Sequence, residues 1–364
     1  MRLKNLKLYK YRSYDFLDLD FSRGINVIYG KNAQGKTNIV EAIYYFSSLK
    51  SHRFALDKEI IKENENGAMM KIEYEKETGE KSDLKITLKN GARRELLKNG
   101  AKKERTDFLG NFYSVLFSPE DLNLIKGEKD LRRRFIDTDI CQLRPNYYKI
   151  LHNYNSVLIN RNKVLKDEIN PDPELLKVYT EKLIEYGSEI IFYRCLYIER
   201  LKETARKIYS EISDDKHELE VKYKTFFEIS DKENKKRIKE LFSEHSENVF
   251  FEEMKKRTTL IGPHKDDIEF LTDGKNSKVF ASQGQQRTII LSLKLSEIIF
   301  IKELTGEAPV LLLDDILSEL DKQRQKRLFN YVRDFQTILT VTDSHTVNPS
   351  KVKMIKIQNS KVVE

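Results

Sequence analysis

Residues 25–37 read Ile-Asn-Val-Ile-Tyr-Gly-Lys-Asn-Ala-Gln-Gly-Lys-Thr, and this stretch decides the fold. The apolar run over residues 25–29 predicts a short buried strand that ends at Gly30. The eight residues from Gly30 to Thr37 match the phosphate-loop pattern of strand-to-helix connections. Periodic apolar residues over 38–49 predict a helix after the loop. The stretch therefore predicts an α/β core built around a strand, a phosphate loop and a helix.

The residue types of this loop predict nucleotide binding. Glycine lets backbone N–H groups wrap phosphate groups, and the following helix N-terminus adds favourable dipole charge. We expect Lys36 to reach the β- and γ-phosphates and to act in catalysis, and the Thr37 hydroxyl to complete a Mg²⁺ shell. The alternative is an ordinary glycine-rich turn. The predicted nucleotide contacts of the loop are Gly30, Lys31, Asn32, Ala33, Gln34, Gly35, Lys36 and Thr37.

A second element with matching chemistry lies near the other end of the chain. Residues 310–314 form an apolar run that predicts a buried strand, and this run ends in Asp314 followed by Asp315. Asp314 at the carboxyl end of a strand fits the role of Mg²⁺ ligand. Asp315 is positioned to orient or deprotonate an attacking water.

A third element is the sequence Ser-Gln-Gly-Gln-Gln-Arg at 282–287, which precedes an apolar helix predicted over 288–303. A serine and a glycine that open a helix form an anion-binding terminus. Because the phosphate loop already serves one nucleotide, this second terminus suggests that Ser282 and Gly284 contact a γ-phosphate bound by another subunit. The alternative is a plain helix cap.

Glycine placement indicates how the chain is organised. Residues 128–261 contain a single glycine, Gly187, which favours helix because glycine costs about 1 kcal/mol inside one. Apolar residues from Leu176 to Ile212 follow steps of three and four, and they predict one helix of about 55 Å. This helix is either an ordinary bundle helix or a lever that carries motion or partners. The prolines of this region are predicted to end helices: Pro145, Pro171 and Pro173.

The flanking segments predict strands. Alternating apolar residues near 17–21, 72–74 and 84–88, with Asn-Gly pairs at 90–91 and 99–100, are typical of antiparallel strands joined by hairpin turns. The short apolar runs 112–117 and 337–342 predict further strands. An α/β region is therefore interrupted by a helical insertion of roughly 140 residues.

Composition excludes several classes of protein. The 364 residues carry 66 Lys and Arg against 58 Asp and Glu, a net charge of +8, with 39% hydrophobic residues. This balance excludes a disordered polyelectrolyte and an acidic tail protein, and it allows a nucleic-acid partner. Cys141 and Cys195 have no spacing typical of a zinc site or a disulfide framework. No apolar run approaches the ~20 residues of a membrane span, and no signal peptide is expected, so we predict a cytoplasmic protein.

The order of these motifs resembles the ABC-type ATPase heads of the SMC/Rad50 branch, and within that branch the RecF family along essentially the whole chain. Four local motifs carry the closer match, at 11–14, 118–121, 133–137 and 262–267. The resemblance implies an ABC-type ATPase head, with a mixed sheet around the phosphate-loop core and antiparallel strands, formed by residues 1–118 with 258–364. Residues 119–257 are then an inserted helical lever domain.

The family resemblance also implies a mechanism. Two heads form a dimer around two ATP molecules with Mg²⁺, Ser282 and Gly284 clamp the nucleotide in trans, and Arg12 contacts phosphates. Glu120 lies in the region that links Mg²⁺ to the helical arm in many relatives. The ATP-bound homodimer binds DNA at gaps and helps to load recombinase, with RecO and RecR as partners. Slow, DNA-dependent ATP hydrolysis then resets it.

The sequence departs from the general ABC pattern at three points. Gln283 precedes Gly284 where a second glycine is usual, and Asp315 replaces a glutamate that is longer by one methylene. Because a misplacement of about 1 Å can cost about 10²-fold in rate, we predict slow turnover. The switch histidine is not evident after the last strand, and His345 is better explained as a surface residue than as a γ-phosphate sensor.

The DNA-contacting residues are the least determined part of the sequence. Several basic clusters are present, each of which is also compatible with a solvated face. We predict that the hairpins beside the phosphate loop bind DNA phosphates through Arg93, Arg94, Lys102 and Lys103. Two other functions fit the motifs: an ATP-binding scaffold without turnover, and the ATPase subunit of a membrane transporter. The large helical insertion argues against the transporter.

Overall fold

The computed structural model describes residues 1–166, 172–213, 217–228, 234–343 and 352–363. Its strands over these residues are β1 (Arg2–Tyr11), β2 (Tyr14–Asp20), β3 (Ile25–Tyr29), β4 (Gly67–Glu75), β5 (Lys81–Lys89), β6 (Glu95–Lys98), β7 (Ala101–Lys102), β8 (Ser114–Phe117), β9 (Leu219–Lys224), β10 (Asp267–Thr272), β11 (Lys275–Asn276), β12 (Val310–Asp314), β13 (Thr337–Val341), β14 (Lys353–Gln358) and β15 (Lys361–Val363).

The helices over the same residues are α1 (Lys36–Ser48), α2 (Asp57–Ile60), α3 (Arg105–Phe108), α4 (Asn123–Lys126), α5 (Lys129–Leu143), α6 (Pro145–Leu165), α7 (Pro173–Ile212), α8 (Lys235–Lys256), α9 (Ser277–Phe280), α10 (Gln283–Thr305) and α11 (Lys322–Val332). Two short 3₁₀ turns, Pro119–Leu122 and Ile316–Glu319, follow β8 and β12.

The chain forms two compact units. The first unit contains Met1–Leu122 and Arg287–Glu364, and the second contains Asn123–Gln286. The boundaries expected from the sequence were 118/119 and 257/258. The second boundary lies further along the chain because β10 pairs with β9 in an antiparallel sheet, so the segment that carries β10 packs with the insertion.

The phosphate-loop strand lies in the centre of a six-stranded sheet of the first unit. The strand order is β15-β14-β3-β13-β12-β8, and all neighbours are parallel except the edge strand β15. Every residue of β12 and β13 is buried, as expected for parallel strands covered on both faces. The strands predicted from apolar runs are confirmed here. The carboxyl ends of these parallel strands meet at one edge, where ligands bind in such sheets.

A second sheet of the first unit is antiparallel, in the order β2-β1-β4-β5-β6-β7. Buried and more exposed residues alternate along β4 and β5, which shows that one face is packed and the other meets solvent. Both Asn-Gly pairs lie in turns of this sheet, and Gly91 and Gly100 have the positive φ that such turns require. The predicted ABC-type head, with a phosphate-loop sheet and antiparallel strands, is confirmed.

The second unit is mainly helical, but it also contains the three-stranded sheet β11-β10-β9. Helix α7 has 40 residues and is therefore about 60 Å long. Its predicted apolar stripe is buried at most positions, including Leu183, Ile190 and Leu201. Gly187 allows α7 to pack closely, because a Cβ there would lie 2.5 Å from the Phe242 ring.

Two prolines of this unit begin helices, and one of them also follows the end of a helix. Pro145 and Pro173 stand at the first positions of α6 and α7, where a missing N–H has no intrahelical partner to lose. Because α5 ends at Leu143, two residues before Pro145, the helix end predicted at Pro145 is confirmed. The additional role of Pro145 and Pro173 as first residues of helices was not predicted. Pro171 lies outside the described residues. In the described part of the chain, no helix combines the length and the apolar character of a membrane span.

Candidate nucleotide-binding site

The phosphate loop connects β3 to α1 at the carboxyl edge of the parallel sheet. Gly30 has a φ of +150° and Gly35 a φ of +100°, conformations that residues with a Cβ rarely adopt. A Cβ on Gly30 would lie 2.2 Å from the backbone oxygen of Ile357 in β14. The loop is also held from the turn after β14, where the amide of Asn359 donates to the Gln34 side chain. Both backbone conformation and close packing therefore require glycine at position 30.

Lys36 occupies the first turn of α1 with its ammonium group turned back over the loop. Its Nζ donates to the backbone oxygens of Gly30 at 2.6 Å and Lys31 at 2.9 Å. Burial lowers the pKa of Lys36, while the charges of Asp315 and Asp314 act in the opposite direction. The loop thus holds a partly desolvated cation at the position where phosphate groups of a nucleotide bind.

Thr37 and Asp314 meet although they are 277 residues apart in the chain. The Thr37 hydroxyl donates to Oδ1 of Asp314 at 3.1 Å, and the Thr340 hydroxyl donates to the same oxygen at 2.7 Å. The contact follows from topology, because β13, which carries Thr340, lies between β3 and β12. Asp314 is 4% exposed, and burial raises its pKa. A buried carboxylate beside a hydroxyl is a suitable donor set for Mg²⁺.

Asp315 has a left-handed backbone that turns its carboxylate toward solvent. Its φ is +51°, which is uncommon for a residue other than glycine and often marks a functional turn. Its amide donates to the Thr340 hydroxyl at 2.9 Å, and its carbonyl accepts from the Ser318 hydroxyl at 2.7 Å. The Thr340 hydroxyl therefore holds both aspartates: it binds the side chain of Asp314 and the backbone amide of Asp315.

These residues line one open cleft of about 420 Å³. This volume falls within the usual range of small-molecule sites. Glu120 contributes from the turn after β8, and Arg53 and Asn38 contribute at the side of the loop, where they hydrogen-bond at 3.3 Å. The lining residues are Ser13, Asn32, Ala33, Gln34, Gly35, Lys36, Thr37, Asn38, Arg53, Pro119, Glu120, Asp314, Asp315 and Thr340.

Arg12 lies in the turn between β1 and β2, where it pairs with a buried carboxylate. Its guanidinium binds both oxygens of the fully buried Glu41, at 2.9 and 2.6 Å, and also the backbone oxygen of Glu59 at 2.7 Å. Burial opposes the charge on Glu41, but hydrogen bonds from Arg12 and Ser51 outweigh it and lower the pKa of that carboxyl. Arg12 is thus a partner of Glu41 and does not belong to the cleft lining described above. The sequence motif identified Arg12 as a candidate, but it could not indicate that Glu41 is its buried partner.

Ser282 and Gly284 belong to the second unit, at the start of α10. The Ser282 hydroxyl accepts from the amide of Gln285 at 3.2 Å, and the Gln285 side chain accepts from the amide of Ser282 at 2.8 Å. This is a capping box, so the local geometry of the predicted alternative, a helix cap, is present. Ser282 is exposed, and a capped and exposed helix N-terminus still presents N–H groups to an anion.

The four predicted DNA residues have different environments. Arg94 is structural: it donates to Asp57 and to the Leu49 carbonyl, both at 2.5 Å, and lies over the Tyr45 ring. Its Nε and Nη1 are used inside the unit, so a DNA contact through these two nitrogens would have to replace existing hydrogen bonds. Arg93 and Lys102 are exposed and Lys103 is partly exposed.

His345, which was considered as a γ-phosphate sensor, lies outside the described residues.

Sequence reasoning missed Thr340, which holds Asp314 and Asp315. A threonine within an otherwise apolar strand gives no signal that separates it from a core residue. It also missed the hydrogen bond of 2.7 Å between Ser13 and Ser360, which links the start of β2 to the last hairpin. Contacts between such distant segments follow from strand order, which no local motif specifies.

Comparisons with known proteins agree with this architecture. Residues 2–363 match the model of the RecF/RecN/SMC N terminal domain family. A DNA replication and repair protein RecF from Clostridium novyi is 42% identical, with 100% of this chain and 99% of that protein covered. The RecF of Oenococcus oeni is 40% identical, with 99% and 98% covered.

Solved structures give the same result at the level of the fold. A structure of the recombination mediator protein RecF with ATP in the RecFOR pathway superposes with a TM-score of 0.93 at 35% identity. The superposition covers 99% of this chain and 96% of that one. An Smc head bound to the C-winged helix domain of ScpA has a TM-score of 0.55 at 16% identity, which shows a shared fold alone.

Proposed function

The chain belongs to the RecF family of DNA replication and repair proteins, and from this premise we propose that it is an ATP-gated DNA-binding protein of recombinational repair and replication. The observation that carries the proposal is the meeting of Lys36, Thr37 and Asp314 at one edge of the parallel sheet. Family membership suggests the activity, and the geometry of these three side chains indicates which groups of this chain would bind ATP and Mg²⁺.

The site fits ATP with Mg²⁺. Lys36 would contact the β- and γ-phosphates and give up its hydrogen bonds to the loop carbonyls. Thr37 and Asp314 would hold the metal ion, and Glu120 faces the same cleft. An ion held there would supply positive charge to offset the charge of the phosphates. The RecF structure with ATP supports the same ligand for this chain.

Asp315 would orient or deprotonate the attacking water from the side of the cleft that is open to solvent. Since its carboxylate is one methylene shorter than the glutamate usual in ABC-type heads, hydrolysis would be slow and would act as a reset step. ATP-driven dimerisation would precede hydrolysis. In the dimer, Ser282 and Gly284 of one protomer bind the nucleotide held by the other protomer.

DNA binding would depend on that closed dimer. The exposed basic residues Arg93 and Lys102, with Lys103, stay our proposed contacts, and binding to phosphates through them would be weakly sequence-specific and strongly salt-dependent. RecR and RecO are proposed partners, since the homologous structure is described as part of the RecFOR pathway. Such a protein would act in the cytoplasm.

Fluorescence anisotropy of a labelled gapped duplex tests the function. The wild type should bind with ATP and Mg²⁺, and binding should fall at least about tenfold between 50 and 200 mM salt. Lys36→Met should abolish the ATP-dependent part, while Lys326→Met, which removes an exposed lysine of α11, should retain it. Equal DNA binding with and without ATP, or by Lys36→Met and wild type, would contradict the proposal.

A further inference from the structure

Two exposed apolar side chains stand directly beside the predicted trans motif. Val279 is 71% exposed and Phe280 is 68% exposed, and both belong to the short helix α9 that ends two residues before Ser282. Single exposed apolar residues are common on protein surfaces. An adjacent pair of large apolar residues next to a ligand-binding motif is typical of an interaction surface.

This apolar pair is held firmly against the motif. The side chain of Gln286, 4% exposed in the first turns of α10, donates to the carbonyls of Ser277 at 3.1 Å and Ala281 at 3.3 Å. The Ser277 hydroxyl is itself buried against Thr272 of β10 at 2.8 Å. Any surface that meets Ser282 would therefore also meet Phe280, which is at most about 7 Å away along the chain.

A second exposed apolar patch lies beside the phosphate-loop cleft. Phe54 is 50% exposed and Leu56 is 60% exposed, and they follow Arg53, which lines the cleft. The segment is ordered by backbone contacts: the Phe54 amide donates to the Ser51 carbonyl at 3.3 Å, and the Leu56 amide donates to the Glu59 carboxylate at 2.8 Å. The predicted trans motif and the phosphate-loop cleft are thus each next to a pair of exposed apolar residues.

Symmetry connects the two patches. In a two-fold dimer, a surface that contacts a second surface on the partner is contacted by the partner in the same way. If Ser282 of one protomer closes the cleft of the other, the neighbours of Ser282 meet the rim of that cleft. We propose that Val279 and Phe280 pack against Phe54 and Leu56 of a second copy of this chain, twice per dimer. This inference rests on the proposed ATP-dependent dimer.

The proposed apolar contact adjoins the nucleotide contact, so the dimer interface would extend beyond the phosphate groups. ATP would supply the polar centre, and the two apolar contacts would exclude water around it, as the rim of a binding hot spot does. Neither patch suffices alone, because each is small. Dimerisation would therefore need both the nucleotide and the apolar pair.

The test compares dimer dissociation constants, measured by sedimentation with saturating ATP and Mg²⁺. Phe280→Ser should raise the constant at least about tenfold, with ATP affinity of the monomer unchanged. Phe251→Ser is the matched control, since Phe251 is 85% exposed on α8 and far in sequence from both patches. It should leave the constant within about twofold of the wild type.

A paired exchange tests which surfaces meet. Phe280→Lys and Phe54→Glu should each weaken the dimer, and the double variant should recover most of the loss through the new charge pair. A Phe280→Ser dimer as stable as the wild type, an equal effect of Phe251→Ser, or a double variant weaker than either single one would overturn the inference. A wild type that fails to dimerise with ATP would overturn the proposed function together with this inference. A wild-type dimer that Phe280→Ser leaves intact would overturn this inference alone, so the two failures are distinguishable.

Discussion

At the scale of single residues, the site depends on groups whose partners are distant in the chain. The motif predicted Lys36, Thr37 and Asp314 as candidates because each residue type is required at a fixed place after a strand. It could not predict that Arg12 is bound by Glu41 or that Arg94 is bound by Asp57. An arginine in a sequence shows its charge but not its partner, and the partner decides whether it is available for a ligand.

Asp315 gives the first prediction at this scale. Asp315→Asn should reduce ATP hydrolysis to background, because an amide cannot accept the proton of the attacking water. Asp315→Glu should increase turnover by restoring the missing methylene. Phosphate release under saturating ATP measures both, with a wild-type rate below ~1 s⁻¹ expected. Equal background release by all three proteins would favour the scaffold without turnover.

His52 gives a prediction about pH. Both of its ring nitrogens lack hydrogen-bond partners, its ring meets Tyr44 edge-on, and burial lowers its pKa to about 4. In the unfolded chain His52 becomes protonated below about pH 6.5, whereas in the folded chain it stays neutral down to about pH 4. The free energy of unfolding therefore decreases as the pH falls from about 6.5 to about 4. The loss is on the order of 3 kcal/mol once the pH has fallen to about 4 or below.

His52→Phe should remove this part of the acid sensitivity. Phenylalanine keeps the ring contact with Tyr44 and cannot take up a proton. Urea unfolding at about pH 7 and about pH 4.5 should show a smaller loss of stability for the variant than for the wild type. His264, whose pKa is also lowered to about 4 by burial, contributes equally to both proteins. Identical losses in the two proteins would contradict the assignment.

At the scale of elements, periodicity predicted most strands and the long helix, because those patterns are local. The buried stripe of α7 and the apolar strands β3, β12 and β13 follow directly from residue spacing. The end of the insertion was misplaced because β9 and β10 pair across 42 intervening residues, and no spacing rule reports that contact. The prolines were predicted only to end helices, whereas Pro145 and Pro173 also begin α6 and α7, because a proline at the first helical position loses no hydrogen bond.

The buried pair of Arg161 and Glu253 provides a prediction for the packing of α6 against the end of α8. Both side chains are 1% exposed, their nitrogen–oxygen distance is 2.6 Å, and Glu253 also accepts from the amide of Leu260 at 2.7 Å. Glu253→Gln should cost about 3–5 kcal/mol, since it leaves the Arg161 charge buried without a counter-ion.

Glu252→Gln is a matched control at the next position. Its carboxylate pairs with Lys256 at 2.6 Å, but both groups are more than half exposed. Such surface pairs contribute about 0–1 kcal/mol. Chemical unfolding should therefore separate the two variants clearly. Equal stability of the Glu253 and Glu252 variants would show that the buried pair does not hold these helices together.

At the scale of the whole molecule, the two sets of residues that we propose to bind one nucleotide belong to different compact units. The phosphate loop and its aspartates belong to the first unit, and Ser282 and Gly284 belong to the second. The family order of motifs led to the proposal that these two sets bind one nucleotide from different protomers, and this stays a proposal. No local pattern pointed to Val279 and Phe280, because their interest lies in their exposure. The account therefore makes its strongest claim about two chains, not one.

Light scattering with and without ATP and Mg²⁺ tests that claim most directly. We predict a monomer of 43.0 kDa without nucleotide and a particle of twice that mass with it. Lys36→Met should stay monomeric because it cannot bind ATP, and Ser282→Arg should bind ATP yet stay monomeric. A wild-type chain that remains monomeric at saturating ATP, at every protein concentration tried, would contradict the account.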